Sequence, residues 1–258
     1  MMPLYRPWPP LFSAYDLVKG PLLIVAPHPD DEVIGAGGLA LAHTDRSARV
    51  VAAIVTDGAA GDFRGQGGDA YAALRRAEST EAAARLGGTE ARFLGFPDGG
   101  LRALDDAGDR SLVRALEALM REDRFATIAF PSPFEVHPDH RAVALAALEA
   151  AETLGTTTRL LAYEIGEMMP CNLLIDISWL ADRKVAALAA FPSQIAHNDL
   201  ARKVRALNEA RSVNCDDPRV VSCEAYLRID RAGIRAFAAA ADSLIAAIDA
   251  AQPKVPYE

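Results

Sequence analysis

Two short stretches carry side chains that together could do chemistry. The first is His28-Pro29-Asp30-Asp31-Glu32 and the second is His137-Pro138-Asp139-His140. Each follows an apolar run that reads as a buried strand, residues 22–26 and 126–131. Each precedes a helical stretch with Pro at the presumed first position, where a missing N–H leaves nothing unpaired. Open α/β sheets place ligands beyond the carboxyl ends of their strands, so both loops fall on one edge and can converge. Two imidazoles and one carboxylate on a single ion make the three-ligand, open-position pattern of a catalytic zinc centre. Such a centre suits amide hydrolysis, because zinc activates water and polarises a carbonyl. Asp30 and His137 are then spare, one to take a proton from water, the other to stabilise the intermediate or protonate the leaving amine. Asp139 can hold His137 protonated, as a carboxylate partner does.

The competing reading of the first stretch is an acidic helix start, favoured by the helix dipole. It explains neither His28 nor Gly35, Gly37 and Gly38, each costing a helix interior up to about 1 kcal/mol relative to Ala. Those glycines predict close approach of backbone or ligand.

The elements that must position these loops alternate. Strands are expected at 22–26, 49–55, 91–94, 126–131, 159–163, 173–177 and 222–227. Helices are expected at 31–43, 71–86, 110–122, from the second motif to 154, at 179–190 and at 199–211. This order implies right-handed crossovers and an α/β fold, a Rossmann-like open, mostly parallel sheet with helices on both faces. Residues 1–20, Pro-rich and aromatic, read as an extended N-terminal arm over the domain or a neighbouring subunit; 21–258 read as one domain. Residues 230–252 form a helix whose Ile234, Phe237, Ala241, Leu244 and Ile248 make one apolar stripe. Packing on its own domain is the preferred reading of that stripe, with a homo-oligomer contact as the alternative.

Net charge −8 argues against non-specific binding to nucleic acid or anionic membranes. No apolar run approaches the ~20 residues of a membrane span, and the start does not read as a signal peptide. Cys171, Cys215 and Cys223 form no metal or disulfide spacing and read as structural thiols of a reducing compartment. The expected location is the cytoplasm.

The two His-Pro-Asp motifs together resemble the signature of the LmbE/PIG-L family of zinc-dependent N-deacetylases. The resemblance runs from about Leu22 to Tyr226 and includes Thr56-Asp57-Gly58, Arg75-x-x-Glu78, Leu86-Gly87, Pro97-Asp98-Gly99, Lys184, Ser193-Gln194 and Glu224-Ala225. It implies removal of an acetyl or other acyl group from an amino sugar, chiefly N-acetylglucosaminyl compounds. It implies Zn²⁺ on His28, Asp31 and His140, Asp30 as general base, and His137 as electrophile or general acid with Asp139 behind it. It also implies that Arg75 and Asp98 contact sugar hydroxyls. One position departs from the family: some members carry an oxyanion-binding tyrosine two residues before the second motif, where this chain has Glu135. An ionised carboxylate cannot bind an oxyanion, which leaves that task to zinc and His137.

Simpler readings stand beside these. Arg75 and Glu78, three apart on a helix, can merely pair with each other. Asp98 can be a turn residue. His43 and His197 read as surface or core histidines, and Met168 and Met169 as core filling. The loop 61–69 is a lid over the site or a solvated excursion. The alternative reaction is amidase cleavage of a larger conjugate at the same zinc site. A receiver-like Mg²⁺ site at Asp30-Asp31 with Asp57 leaves His28, His137 and His140 unused.

Overall fold

The computed structural model describes residues 9–62, 65, 67–122, 124–155, 158–196 and 198–251. In chain order they form β1 (Leu11–Ser13), β2 (Leu22–Ala26), α1 (Asp31–Thr44), β3 (Val50–Thr56), α2 (Gly68–Arg85), β4 (Glu90–Phe96), α3 (Leu101–Asp106), α4 (Ser111–Glu122) and β5 (Thr127–Pro131). They continue with α5 (Pro138–Leu154), β6 (Arg159–Tyr163), β7 (Leu173–Asp176), α6 (Ala181–Leu188), α7 (Pro192–Ile195), α8 (Leu200–Arg211), β8 (Cys223–Ile229) and α9 (Ile234–Ala251). The strands make one sheet in the order β1-β7-β8-β6-β5-β2-β3-β4. It is the expected open, mostly parallel α/β sheet, with two buried apolar clusters on its faces.

The middle of the sheet places the two motifs. β2 lies parallel to β5 and to β3, with Leu22 opposite both Thr127 and Val50. Every residue of β2, β3 and β5 is buried, so these strands are apolar without alternation, as strands covered on both faces must be. Their carboxyl ends therefore emerge side by side, one into His28 and the other toward His137.

One expectation needs correction. The described part of the N-terminal arm is not draped over the surface: β1 pairs in parallel with β7 and extends the sheet, and Ala14 after it is buried. β8 runs antiparallel to both its neighbours, β6 and β7. Strand pairing is chosen by partners distant in sequence, which the alternation of elements does not specify. The apolar stripe of α9 divides. Ile234 and Ala241 are buried and Phe237 meets Phe134 edge-on at 6.1 Å, whereas Leu244 and Ile248 are 49% and 44% exposed. Its first half thus packs on its own domain. Met169 is buried and Met168 exposed. His43 is a buried core histidine, its Nδ1 against the Leu39 carbonyl at 2.9 Å; His197 lies outside the described residues. Among the described residues no helix is long and apolar enough to cross a membrane.

The glycines of α1 have a structural cause. The helix leaves helical geometry at Ala36 (φ −139°, ψ 19°). The amides of Gly38 and Leu39 donate to the Glu224 carboxylate at 2.6 and 3.0 Å instead. A Cβ on Gly35 would collide with the Tyr163 ring, one on Gly37 would crowd the Lys184 stem at 3.1 Å, and one on Gly38 would strike Ile177 at 2.6 Å. Lys184 Nζ balances Glu224 at 2.8 Å and reaches Asn208 at 3.0 Å, both charges almost wholly buried. Removing one partner of such a pair strands the other charge. Lys184→Met is expected to destabilise the fold by about 3–5 kcal/mol, read as a fall in the urea midpoint at unchanged slope; a shift below about 1 kcal/mol would contradict it.

Candidate active site

His28 and Asp31 sit at the end of β2 and in the first turn of α1; His140 sits in the first turn of α5. His28 Nδ1 lies 3.2 Å from Asp31 Oδ2 and 3.1 Å from His140 Nε2, and His140 Nε2 lies 3.4 Å from Asp31 Oδ2. Donors at bond lengths of about 2.0–2.2 Å around a tetrahedral zinc ion stand about 3.4 Å apart. Three donors of the right type thus form a triangle of the right size. Their mutual approach also needs a shared positive charge. Burial lowers the His28 imidazolium, yet Asp139, Asp31 and Asp98 outweigh it and push it up to about 12. Burial likewise lowers His140, but Asp31 and Glu135 raise it to about 9. Burial opposes the charge on Asp31, and the two imidazoles hold it well below the usual carboxylate range all the same. A divalent cation can replace the protons that the imidazoles hold.

The far sides of both imidazoles are also occupied. His28 Nε2 faces Asp98 Oδ1 at 3.0 Å and Asp139 Oδ2 at 3.5 Å. His140 Nδ1 faces Glu135 Oε2 at 3.6 Å. Carboxylates behind ligand imidazoles fix ring orientation and raise basicity. Glu135, at the family's tyrosine position, is buried. Its Oε1 accepts the amides of Ile165 and Glu167 at 2.8 and 3.4 Å, and its Oε2 that of Gly166 at 2.9 Å. It anchors that loop behind His140. Glu135→Gln sets an amide NH₂ against a backbone N–H and removes the charge behind His140. It is expected to weaken zinc about 10–100-fold, the usual cost of an outer partner, measured by chelator competition; unchanged affinity would contradict it.

Asp30 is placed by backbone strain. It has φ 107°, ψ −28°, outside the regions that a non-glycine residue enters readily. The conformation is held from several directions. The Asp30 carbonyl accepts the amides of Val33 and Ile34 at 2.9 and 3.0 Å, and its own amide donates to Glu32 Oε2 at 2.9 Å. Arg75 Nη2 donates to the Pro29 carbonyl and to Asp30 Oδ2, the latter at 3.2 Å. Burial raises the Asp30 carboxyl and Arg75 lowers it, leaving it at about 6, a value suited to proton exchange near neutrality.

His137 is the exposed member of the group, its ring edge-on to His28 at 4.6 Å and 5.0 Å from that of His140. It caps α5: its Nδ1 accepts the Asp139 amide at 3.2 Å. A lone pair is required there, so the ring proton belongs on Nε2. Burial, His28 and His140 lower its pKa, favouring the neutral ring. The charge of Asp139 pulls the other way and raises it, as expected of a carboxylate behind His137, but through space. Its carboxylate accepts the amides of Gly99 and Leu101 at 2.7 and 3.2 Å and faces His28, while its backbone N–H is what engages His137. The cap uses Nδ1, the atom a carboxylate partner would have taken.

Arg75 and Asp98 are turned toward the site's own side chains. Arg75 is 3% exposed and bonds Asp30, Pro29, Ser193 and Glu78; the pairing with Glu78 is present at 3.3 Å and is one of several. Glu78 in turn accepts the Ser193 amide and hydroxyl at 2.9 and 2.6 Å, and Gln194 donates to Tyr71 at 2.8 Å. Asp98 gives Oδ1 to His28 and accepts the Ala60 amide on Oδ2 at 3.0 Å. Asp57 joins the same loops, accepting the amides of Ala59 and Asp98 at 3.0 and 3.3 Å. The loop 61–69 lies partly outside the described residues.

A strained aspartate and a capped imidazole beside a three-donor triangle are the groups that metal-assisted hydrolysis needs, set on a Rossmann-like sheet. Residues 23–151 match the family model described as PIG-L, GlcNAc-PI de-N-acetylase. A probable N-acetyl-alpha-D-glucosaminyl L-malate deacetylase 2 of Bacillus anthracis is 30% identical over 189 residues, 68% of this chain and 81% of that one. The diacetylchitobiose deacetylase of Thermococcus kodakarensis is 33% identical over 138 residues, 52% of this chain and 50% of that one. Among solved structures, the N,N'-diacetylchitobiose deacetylase of Pyrococcus horikoshii superposes with a TM-score of 0.71 at 24% identity, covering 83% of this chain and 85% of that one. The 4-carboxy-2-hydroxymuconate hydratase of Pseudomonas putida KT2440 superposes with a TM-score of 0.70 at 20% identity, covering 82% and 96%. The chain belongs to the PIG-L family of de-N-acetylases. It is a deacetylase, an amide hydrolase.

Proposed function

We propose that this enzyme removes an acyl group, acetyl first, from the amide nitrogen of an amino sugar of the N-acetylglucosaminyl type. His28, Asp31 and His140 would hold zinc. When bound, the ion supplies Lewis acidity, lowering the pKa of water and polarising the amide carbonyl. Asp30, outside the triangle and held by Arg75, receives the proton of the attacking water. His137 offers its Nε2–H as a hydrogen bond to the carbonyl oxygen as charge develops, and the proton that Asp30 has taken from water passes on to the departing amine. Asp98, Asp139 and Glu135 keep the two ligand rings in place. The donor triangle of 3.1–3.4 Å carries this reading. The names of the relatives support the amino-sugar class.

An acetate-release screen tests it, over free, phosphorylated, nucleotide-linked and glycoside-linked N-acetylglucosamine, run beside metal analysis of the same preparation. The expected result is turnover of at least one member that disappears on chelation and returns with zinc. Full activity in chelated protein would overturn the metal assignment, and no turnover of any member would overturn the substrate class.

A further inference from the structure

The three cysteines gather over β7 and β8, in an apolar cluster with Leu174, Val220 and Ala225, and the reaction uses none of them. Within it the sulfurs of Cys215 and Cys223 are in contact at 3.9 Å. A disulfide needs about 2.05 Å, a gap that side-chain rotation can close when the backbones already stand correctly. Both backbones are tied down. The Cys215 amide donates to the Ser212 carbonyl at 2.9 Å. Val221 and Ser222 donate to Ser178 Oγ at 2.9 and 3.3 Å, and Cys223 opens β8 opposite Asp176. Cys223 is fully buried, whereas Cys215 is partly exposed.

We infer that Cys215 and Cys223 are a redox pair, a site of reversible disulfide formation with small-molecule disulfides. The Cys215 thiolate, its proton lost to water, attacks one sulfur of the external disulfide and expels one thiolate. The Cys223 sulfur then attacks the Cys215 sulfur of the mixed disulfide, and the second departing thiolate takes the Cys223 proton. Two protein thiols are oxidised by two electrons, and the reagent is reduced to two thiols. Burial and the neighbouring Cys215 raise the Cys223 thiol, which gives the first step to Cys215. The new bond would staple residues 215–223 one residue from Glu224, the anchor of the break in α1. This departs from the reading of three inert thiols and is independent of the substrate.

The test exposes the folded chain to oxidised glutathione, then quenches, denatures and digests it without reduction. Free thiols are expected to fall from three to one, with a mass loss of about 2 Da. Tryptic peptides 212–219 and 220–228 should stay linked until reductant is added. Cys171→Ser should form the same link, and Cys223→Ser should stop as a glutathione adduct on Cys215. A glutathione adduct persisting on the unaltered chain, a bridge involving Cys171, or three unreacted thiols would overturn the inference.

Discussion

Asp30→Asn is expected to lower kcat by about 10²–10⁴-fold, the range for loss of a general base, while zinc content stays at the level of the unaltered protein. The substitution keeps shape and removes only the ability to take a proton. Asp30 contributes no atom to the donor triangle, and its carboxylate is spent on Arg75. Its position is over-determined by the hydrogen bonds around a φ of 107°, so the isosteric amide should occupy the same place. Strain kept at a site in this way marks a side chain whose direction matters. Metal analysis and steady-state kinetics on one preparation check the split. Turnover within about threefold of the unaltered enzyme would remove Asp30 as the base.

His140→Ala and His137→Ala should separate two rings whose centroids are only 5.0 Å apart. His140→Ala deletes a donor from the triangle, leaves Glu135 without its imidazole and leaves Asp31 with His28 alone. Zinc affinity should fall by more than the roughly 10–100-fold that loss of an outer partner costs, and activity with it. His137→Ala should retain zinc, because the triangle of His28, Asp31 and His140 is complete without it. Its kcat should drop by about 10²–10³-fold, the cost of losing an oxyanion donor. Equal loss of metal from both variants would mean that His137 is a ligand, and the division between holding and reacting groups would fail.

Local signals made much of this legible in the sequence. A strand, a turn and a proline near a helix start announce themselves within a dozen residues, which is why His28 and His137 could be placed on one sheet edge; Pro138 opens α5 as expected, whereas Pro29 stands ahead of α1, whose cap is Asp30. The glycines of α1 signalled close approach, but the partners at Gly38, Glu224 and Ile177, come from strands and loops far along the chain. Glu135 was visible as a departure; the amides of 165–167 that explain it were not. The contacts of Asp139 were hidden for a related reason. Adjacency to His137 suggested a side-chain partner, yet the cap consumes Nδ1 and the turn at 99–101 offers the carboxylate two amides. β1 is three residues long, too short for periodicity, and the direction of β8 depends on partners separated from it by whole helices. Fold alone carries no reaction either, since a hydratase shares this sheet. The chemistry rests on the side chains at its edge.

The position of the metal tests this account most directly. His28 can join three donor sets: Asp31 with His140, His137 with His140, and Asp98 with Asp139. An anomalous difference map at the zinc edge, from crystals of the zinc-loaded protein, distinguishes them. The account predicts one peak at about 2.0–2.2 Å from His28 Nδ1, Asp31 Oδ2 and His140 Nε2. A peak between His28 Nε2, Asp98 and Asp139 would contradict it.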